Sequence, residues 1–152
     1  MKLFCENFKR LSPSVRSRLT VENDDKASMY SVKDLMYLNE QIVIPIVFDY
    51  HHHKFCTGGL TEEEALKLAI STWPENIKPI VHYSESKALH EENEKLKPQA
   101  HSDYINKLPK LYGTDVDVMV EAKAKELAIL PHMAKFNVCE YSGLLNTKSY
   151  AE

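Results

Sequence analysis

One stretch of the chain, residues 44–53, constrains the fold more than any other. Residues 44–48 are apolar and rich in β-branched side chains, which is typical of a strand buried on both faces of a parallel sheet. The stretch then ends in Asp49, Tyr50, His51, His52 and His53. Carboxylate and imidazole groups at the exit of a buried strand are the ligands that a metal site on a parallel α/β scaffold needs. This exit therefore predicts where the site lies.

Four units of a strand followed by a helix are predicted along the chain. The strands are expected at residues 18–21, 42–48, 78–81 and 117–120. Helices are expected from Ser31 and from Thr61, each with an acid three residues later, and over residues 102–111 and 122–136. Single helices between strands imply parallel crossovers. The expected fold class is therefore α/β, with four βα units that form the C-terminal half of a (β/α)8 barrel.

Composition predicts the extent of the domain and the cellular setting. We expect residues 1–137 to form the half barrel, with an exposed charged loop that includes some helix at residues 85–99, and residues 138–152 to form a loose tail. Three cysteines without a Cys-x-x-Cys motif, an acid at Glu6 and the lack of a long apolar run indicate an intracellular protein. It would be cytoplasmic, nuclear or viral, neither secreted nor in a membrane. The net charge of −3 argues against a protein that coats nucleic acid without specificity.

Side chains of the types that can bind metal ions lie at or just beyond the C-terminal end of every predicted strand. They are Glu22, Asp49, His52, His82 and Glu121, and His101 lies in a loop before the fourth strand. Carboxyl ends of parallel strands converge on one face, where ligands bind in such folds. Taken singly, each residue also fits a surface acid or a hydrogen-bonded histidine. Four successive strands that all end this way favour a site for Mn, Zn or Fe.

Five blocks of the sequence together resemble the UV damage endonuclease family. They are residues 19–25 (LTVENDD), 44–53 (IPIVFDYHHH), 82–85 (HYSE), 101–105 (HSDYI) and 117–126 (DVMVEAKAKE). The family is similar to endonuclease IV and to the xylose isomerase-like barrels. The resemblance implies a metal-dependent DNA repair endonuclease that nicks DNA on the 5′ side of UV photoproducts. UV-damaged double-stranded DNA is thus the expected partner.

The resemblance also implies roles for individual residues. The implied metal ligands are Glu22, Asp49, His52, His82, His101 and Glu121. Of these, Glu22 and Glu121 would be the catalytic carboxylates that bridge metal ions. Four further residues would support the ligands or contact the substrate: Asn23, His51, His53 and Lys123. The implied cofactor is Mn²⁺, with Zn²⁺ or another divalent ion as the alternative, bound as two or three ions with an incomplete ligand set in this chain.

Two features of the family pattern have no counterpart in this sequence. The family's first half supplies two further histidines and residues that probe the damaged bases, and nothing before Arg18 replaces them. Family members often carry a metal-bridging lysine two residues before the histidine that matches His82, where this chain has Ile80. The leading hypothesis is an endonuclease that needs a complementary N-terminal half, as a separate polypeptide or through self-association. The alternatives are a non-catalytic remnant or binding module of the same fold, and a metal-dependent sugar isomerase or epimerase.

Overall fold

The structure, a computed structural model, describes residues 1–133. The predicted tail at residues 138–152 and the end of the last predicted helix lie outside these residues. Within the described part, a four-stranded parallel sheet has its strands in sequence order. The strands are β1 (Val21–Glu22), β2 (Ile46–Asp49), β3 (Ile80–Tyr83) and β4 (Asp117–Val120). The predicted α/β class with parallel strands is confirmed.

Helices alternate with the strands. They are α1 (Lys2–Lys9), α2 (Pro13–Arg16), α3 (Val32–Ile42), α4 (Tyr50–His53), α5 (Glu62–Ile70), α6 (Lys87–His90) and α7 (Glu126–Met133). Both α3 and α5 begin with a capping box, in which Ser31 or Thr61 exchanges hydrogen bonds with the acid three residues later. These two predicted helix starts are confirmed. Over residues 1–133, the helices are all too short or too polar to cross a bilayer.

The apolar core lies between the sheet and the helices α3 and α5. Both helices contact β2 and each other. Side chains alternate along each strand, so Ile46, Phe48, Val81 and Tyr83 all point into this core and are buried there. Burial of these large side chains is the main source of stability for the packed face of the sheet.

The opposite face of the sheet is open. Val47, Ile80, His82 and Met119 alternate with the core residues and line a cavity of about 680 Å³ on this face. Met119 is 50% exposed, and Val43 at the edge of the same cavity is 79% exposed. The sheet therefore has one packed face and one apolar face that is accessible, and the accessible face leads to the carboxyl ends of the strands.

The first three strands differ from their predicted bounds. The second strand begins at Ile46 and not at residue 42, because α3 continues to Ile42 and Val43 ends the helix in the left-handed conformation with φ of 53°. The first strand comprises only Val21 and Glu22. The third strand runs from Ile80 to Tyr83, two residues later than predicted at both ends, so His82 lies within it and not beyond it. Glu22 and Asp49 end β1 and β2, and Glu121 directly follows β4, as the sequence predicts.

The helix predicted over residues 102–111 is absent from the described structure. The amides of Asn106 and Lys107 donate to the carboxylate of Glu85, at 3.1 and 3.2 Å, and not to carbonyls one helical turn earlier. The prediction of an exposed loop over residues 85–99 is also wrong at its start, because Glu85 and Ser86 are buried. A long-range contact thus overrides the local helical preference of this segment.

The same segment delays the start of the last helix, which was expected at residue 122 and begins at Glu126. The amides of Lys123 and Ala124 donate to the carbonyls of Ser102 and Asp103, at 3.2 and 2.9 Å. Residues 123 and 124 are thereby held in a turn beside the 102–103 backbone, so α7 starts only after it.

Candidate metal centre

The carboxyl ends of the four strands bring the predicted ligands together at one edge of the sheet. Asp49 of β2 is in register with His82 of β3. Two groups of side chains each have ligand-type atoms within 4.8 Å of one another: Glu22 with Asp49 and His52, and Asp49 with His82 and Glu121. Asp49 belongs to both groups, so the two candidate sites are adjacent.

Asp49 is the buried centre of this cluster. One carboxylate oxygen, Oδ1, accepts the amide of His52 at 2.8 Å and so begins the short helix α4. The other oxygen, Oδ2, is buried and has no hydrogen-bond partner among the described residues. Burial raises the pKa of this carboxyl above its usual range. A buried acceptor without a donor is costly, and a bound cation would remove that cost.

Asn23 joins the ends of β1 and β2 through its side chain. Its side-chain oxygen accepts the Asp49 amide at 2.8 Å, and its side-chain nitrogen donates to the Asp49 carbonyl at 3.0 Å. The backbone carbonyl of Asn23 lies 2.8 Å from Nδ1 of His52. Because a carbonyl only accepts, the proton of this ring lies on Nδ1, and Nε2 of the neutral ring is free to bind a metal ion. Asn23 therefore orients Asp49 and His52 together.

Glu22 lies between two imidazole rings. Its two carboxylate oxygens are each 3.2 Å from an Nδ1 atom, one of His52 and one of His82. Burial opposes ionisation of Glu22, but the two rings lower its pKa to about 2. Burial likewise opposes protonation of His52, yet Glu22 and Asp49 raise its pKa to about 9. Contact with Glu22 raises the pKa of His82 as well. In the metal-free protein the acids thus favour the protonated forms of both rings.

Glu121 and His101 complete one side of the cluster. Glu121 Oε1 is 3.4 Å from Nδ1 of His82, and its Oε2 is 3.6 Å from Nδ1 of His101. The ring of His101 lies 6.1 Å from that of His52. His101 belongs to neither of the two groups within 4.8 Å. The structure therefore places His101 at the rim of the candidate centre, beside Glu121.

The other two histidines of α4 have different surroundings. His51 is buried, its Nε2 donates to the Gln99 carbonyl at 3.1 Å, and its ring meets the His101 ring edge-on at 5.3 Å. His53 packs against Phe48 in the core, with ring centres 5.3 Å apart. Burial lowers the pKa of both rings, which favours their neutral forms. His51 contacts one candidate ligand, whereas His53 packs against the core.

Ile80 stands on the open face two residues before His82, and it lines the same cavity. The nearest lysine in the sequence, Lys78, pairs with Asp115 and Asp117 at 2.8 and 3.3 Å. Asp117 begins β4, so this pair lies at the end of the strand opposite to the candidate centre. Lys78 therefore does not substitute for a metal-bridging lysine.

Two further residues border the centre. Lys123 is exposed and lines a cavity of about 480 Å³ together with His101 and Glu121. Glu85, which is not among the site residues predicted from the sequence, lies two residues after β3 and binds the backbone of the segment that carries His101. In the sequence, Glu85 is an acid two residues after a strand and the last residue of the block at 82–85, and neither feature indicates burial.

Comparison with known proteins identifies the family. The family described as UV-endonuclease UvdE matches residues 1–149. The chain belongs to the UV-endonuclease UvdE family. The resemblance seen in the five sequence blocks is thereby confirmed, and the four βα units correspond to part of this family's barrel.

Individual relatives agree with the assignment. The chain is 38% identical to the UV-damage endonuclease of Schizosaccharomyces pombe over 149 residues, which are 94% of this chain and 23% of that protein. It is 33% identical to the UV DNA damage endonuclease of Bacillus mycoides over 156 residues, with 95% of this chain and 44% of that protein covered. The crystal structure of SacUVDE matches with a TM-score of 0.69 at 31% identity, covering 88% of this chain and 46% of that one. The chain thus spans less than half the length of these relatives.

Proposed function

We propose that this chain supplies the metal-binding part of an endonuclease that nicks DNA on the 5′ side of UV photoproducts. The observation that carries the proposal is the convergence of three carboxylates and two imidazoles at the strand ends of a UvdE family member. The relatives are UV damage endonucleases, which supports phosphodiester chemistry over the sugar isomerase alternative. UV-damaged double-stranded DNA is the proposed substrate, and it agrees with the intracellular location expected from the cysteines.

The side chains of the cluster fit divalent metal ions. Carboxylate oxygens combined with imidazole nitrogens suit Mn²⁺ and Zn²⁺. The buried Asp49 oxygen that finds no donor within the described chain supports a cation at this point. Two ligand groups that share Asp49 fit two adjacent ions. We infer Mn²⁺ as the cofactor, with Zn²⁺ as the alternative, held by Glu22, Asp49, His52, His82, His101 and Glu121.

The residues of the chain would orient these ions and the substrate. Bound divalent ions supply Lewis-acid stabilisation of a phosphodiester during its hydrolysis. Glu22 and Glu121, the proposed catalytic carboxylates, approach the same nitrogen of His82 at 3.2 and 3.4 Å, so they are placed to hold neighbouring ions. Asn23 fixes Asp49 and His52, and Lys123 lies at the rim for contact with a phosphate.

The open face of the sheet supports the need for further protein. Exposed apolar side chains beside a cluster of ligands mark an interaction surface, and the unpaired edges of a parallel sheet are usually covered. We propose that the rest of a barrel covers the cavity that Ile80 and Met119 line. It would come from a longer form of the chain, from a separate polypeptide or from a second copy. The greater length of the relatives supports this proposal.

Ile80 favours a second candidate function, a binding module of the same fold without turnover. Its apolar side chain occupies the open face at the position where the resemblance implies a metal-bridging lysine. Such a module would bind damaged DNA without cutting it.

Incision of UV-irradiated supercoiled plasmid in the presence of Mn²⁺ tests the proposal. The chain would be assayed alone and with a polypeptide that carries the part of the Bacillus mycoides relative that this chain does not match. We expect nicking in the mixture, its loss in Glu121→Gln, and no nicking of undamaged plasmid. Binding of the irradiated plasmid without nicking in either setting would support the binding module, and neither binding nor nicking would contradict both functions.

A further inference from the structure

Glu85 is a buried carboxylate outside the candidate metal centre, and it accepts hydrogen bonds from four residues. The residue is 8% exposed. Its carboxylate accepts the Tyr83 hydroxyl at 2.8 Å and contacts Nε2 of His90. It also accepts the amides of Asn106 and Lys107 at 3.1 and 3.2 Å. Burial opposes its ionisation, but these donors hold the pKa of Glu85 below its usual range. Glu85 is therefore a charged anchor for the backbone of residues 106–107.

The contacts of Glu85 replace hydrogen bonds that a helix would make. In a helix that starts at Ser102, the amides of residues 106–107 would donate to the carbonyls of residues 102–103. Those amides are bound to Glu85, and the carbonyls accept the amides of residues 123–124. The amide donors and the carbonyl acceptors that would pair within one helical turn therefore bind different partners, Glu85 on one side and residues 123–124 on the other. The segment is held between the exits of β3 and β4.

This arrangement sets the position of His101. The backbone carbonyl of Glu85 accepts the Ser102 amide at 2.8 Å, and Ser86 pairs with His101 in an antiparallel bridge. His101 is thereby held with its Nδ1 3.6 Å from Oε2 of Glu121. We propose that Glu85 is a positioning residue, which keeps His101 beside the metal centre by holding residues 102–107 out of a helix. The link to metal binding rests on the proposed function, whereas the backbone role does not.

The backbone role is tested by NMR of the metal-free chain with Glu85→Gln. This variant keeps the size of the side chain, but its NH₂ group cannot accept an amide. We expect the Cα shifts of residues 103–107 to move toward helical values and the His101 ring resonances to move with them. The control is Glu62→Gln, which makes the same change at a carboxylate that accepts the Tyr112 hydroxyl at 2.9 Å, and it should leave both sets unchanged.

A milder variant keeps the test informative if Glu85→Gln does not fold. Tyr83→Phe removes only the hydroxyl group, which donates one of the hydrogen bonds to Glu85. We expect a smaller displacement of the His101 resonances in the same direction. If His101 and residues 103–107 keep their resonances in Glu85→Gln, or in Tyr83→Phe where Glu85→Gln does not fold, the positioning role is overturned.

Mn²⁺ titration connects the backbone role to the metal centre. Glu85→Gln should weaken Mn²⁺ binding about tenfold or more, as for other groups that hold a ligand in place. The double variant with His101→Ala should bind no more weakly than His101→Ala alone, because both changes act through the same ring. Additive losses would overturn the proposal. Failure of the unaltered chain to bind Mn²⁺ would contradict the proposed function, and the NMR result would still decide whether Glu85 positions His101.

Discussion

Asn23 shows how one side chain supports several candidate ligands at once. Asn23→Ala removes both bonds to the Asp49 backbone and leaves a buried amide and a buried carbonyl without partners. We expect the free energy of unfolding to fall by about 1–3 kcal/mol. Urea unfolding of the metal-free chain measures this change, with Asn76→Ala at an exposed position as the control. Equal stability of the two variants would show that Asn23 does not hold the strand ends together.

The pairing of Glu22 with His52 makes the stability of the metal-free chain depend on pH. Glu22 has a folded pKa of about 2, so its contribution is present above the ordinary value of 4.5 and is lost as the pH falls toward 2. His52 has a folded pKa of about 9, so its contribution is present below 6.5 and is lost as the pH rises toward 9. We expect the melting temperature to fall between pH 6.5 and 9, and His52→Gln to flatten that fall. If the melting temperatures of the unaltered chain and of His52→Gln fall equally with pH, the pair of Glu22 and His52 is not the cause of the fall.

At the scale of single elements, the loop after α4 packs against the start of α3. Gly58 has φ of +59°, and a Cβ atom there would lie 2.3 Å from Oγ of the capping residue Ser31. Gly59 is the matched control, because its φ is +80° and nothing lies within 4 Å of its Cβ position. We expect Gly59→Ala to cost about 1 kcal/mol for the backbone alone and Gly58→Ala about 2–4 kcal/mol, because the cap is lost too. If chemical unfolding shows that both variants lose the same free energy of unfolding, the contact of residue 58 with Ser31 is contradicted.

The elements that the sequence predicts correctly depend on local signals. The boxes at Ser31 and Thr61 mark helix starts, and the apolar run up to Phe48 marks a strand that ends in ligands. The segment from Ser102 is predicted wrongly, because its helix competes with bonds from Glu85, which is 17 positions earlier in the chain than Ser102. The sequence carries no local signal for such a contact. The type of an element can therefore be predicted from the sequence where residues close in the chain determine it. It cannot be predicted where a residue distant in the chain determines it.

In the candidate site, too, some features could be predicted from the sequence and others could not. The convergence of Glu22, Asp49, His82 and Glu121 follows from parallel pairing, which the strand order implies. The position of His101 at the rim and the bonds of Asn23 to the Asp49 backbone depend on side-chain directions beyond a strand end. Sequence patterns do not define those directions, so the supporting contacts could not be derived from them.

At the scale of the whole molecule, the open face of the sheet should bind the rest of a barrel. Met119→Lys changes a half-exposed side chain on this face, so the stability of the isolated chain should change by no more than about 0.5 kcal/mol. Its association with the complementary polypeptide should weaken at least tenfold, because a charge would be buried at the interface. Leu89→Lys is the control, since Leu89 is 77% exposed and does not line this cavity. Equal association of both variants, measured by analytical ultracentrifugation, would place the interface elsewhere.

The central claim is that the strand ends of this chain form a divalent metal centre. Titration with Mn²⁺ tests this claim most directly, with the free ion measured by electron paramagnetic resonance. The titration compares the unaltered chain with Glu121→Gln and Asp117→Asn. Asp117 is an exposed carboxylate at the opposite end of the same strand as Glu121, so it controls for loss of charge. We expect the chain and Asp117→Asn to bind Mn²⁺ alike and Glu121→Gln to bind it at least tenfold more weakly. Equal binding by all three proteins, or none by the unaltered chain, would contradict the claim.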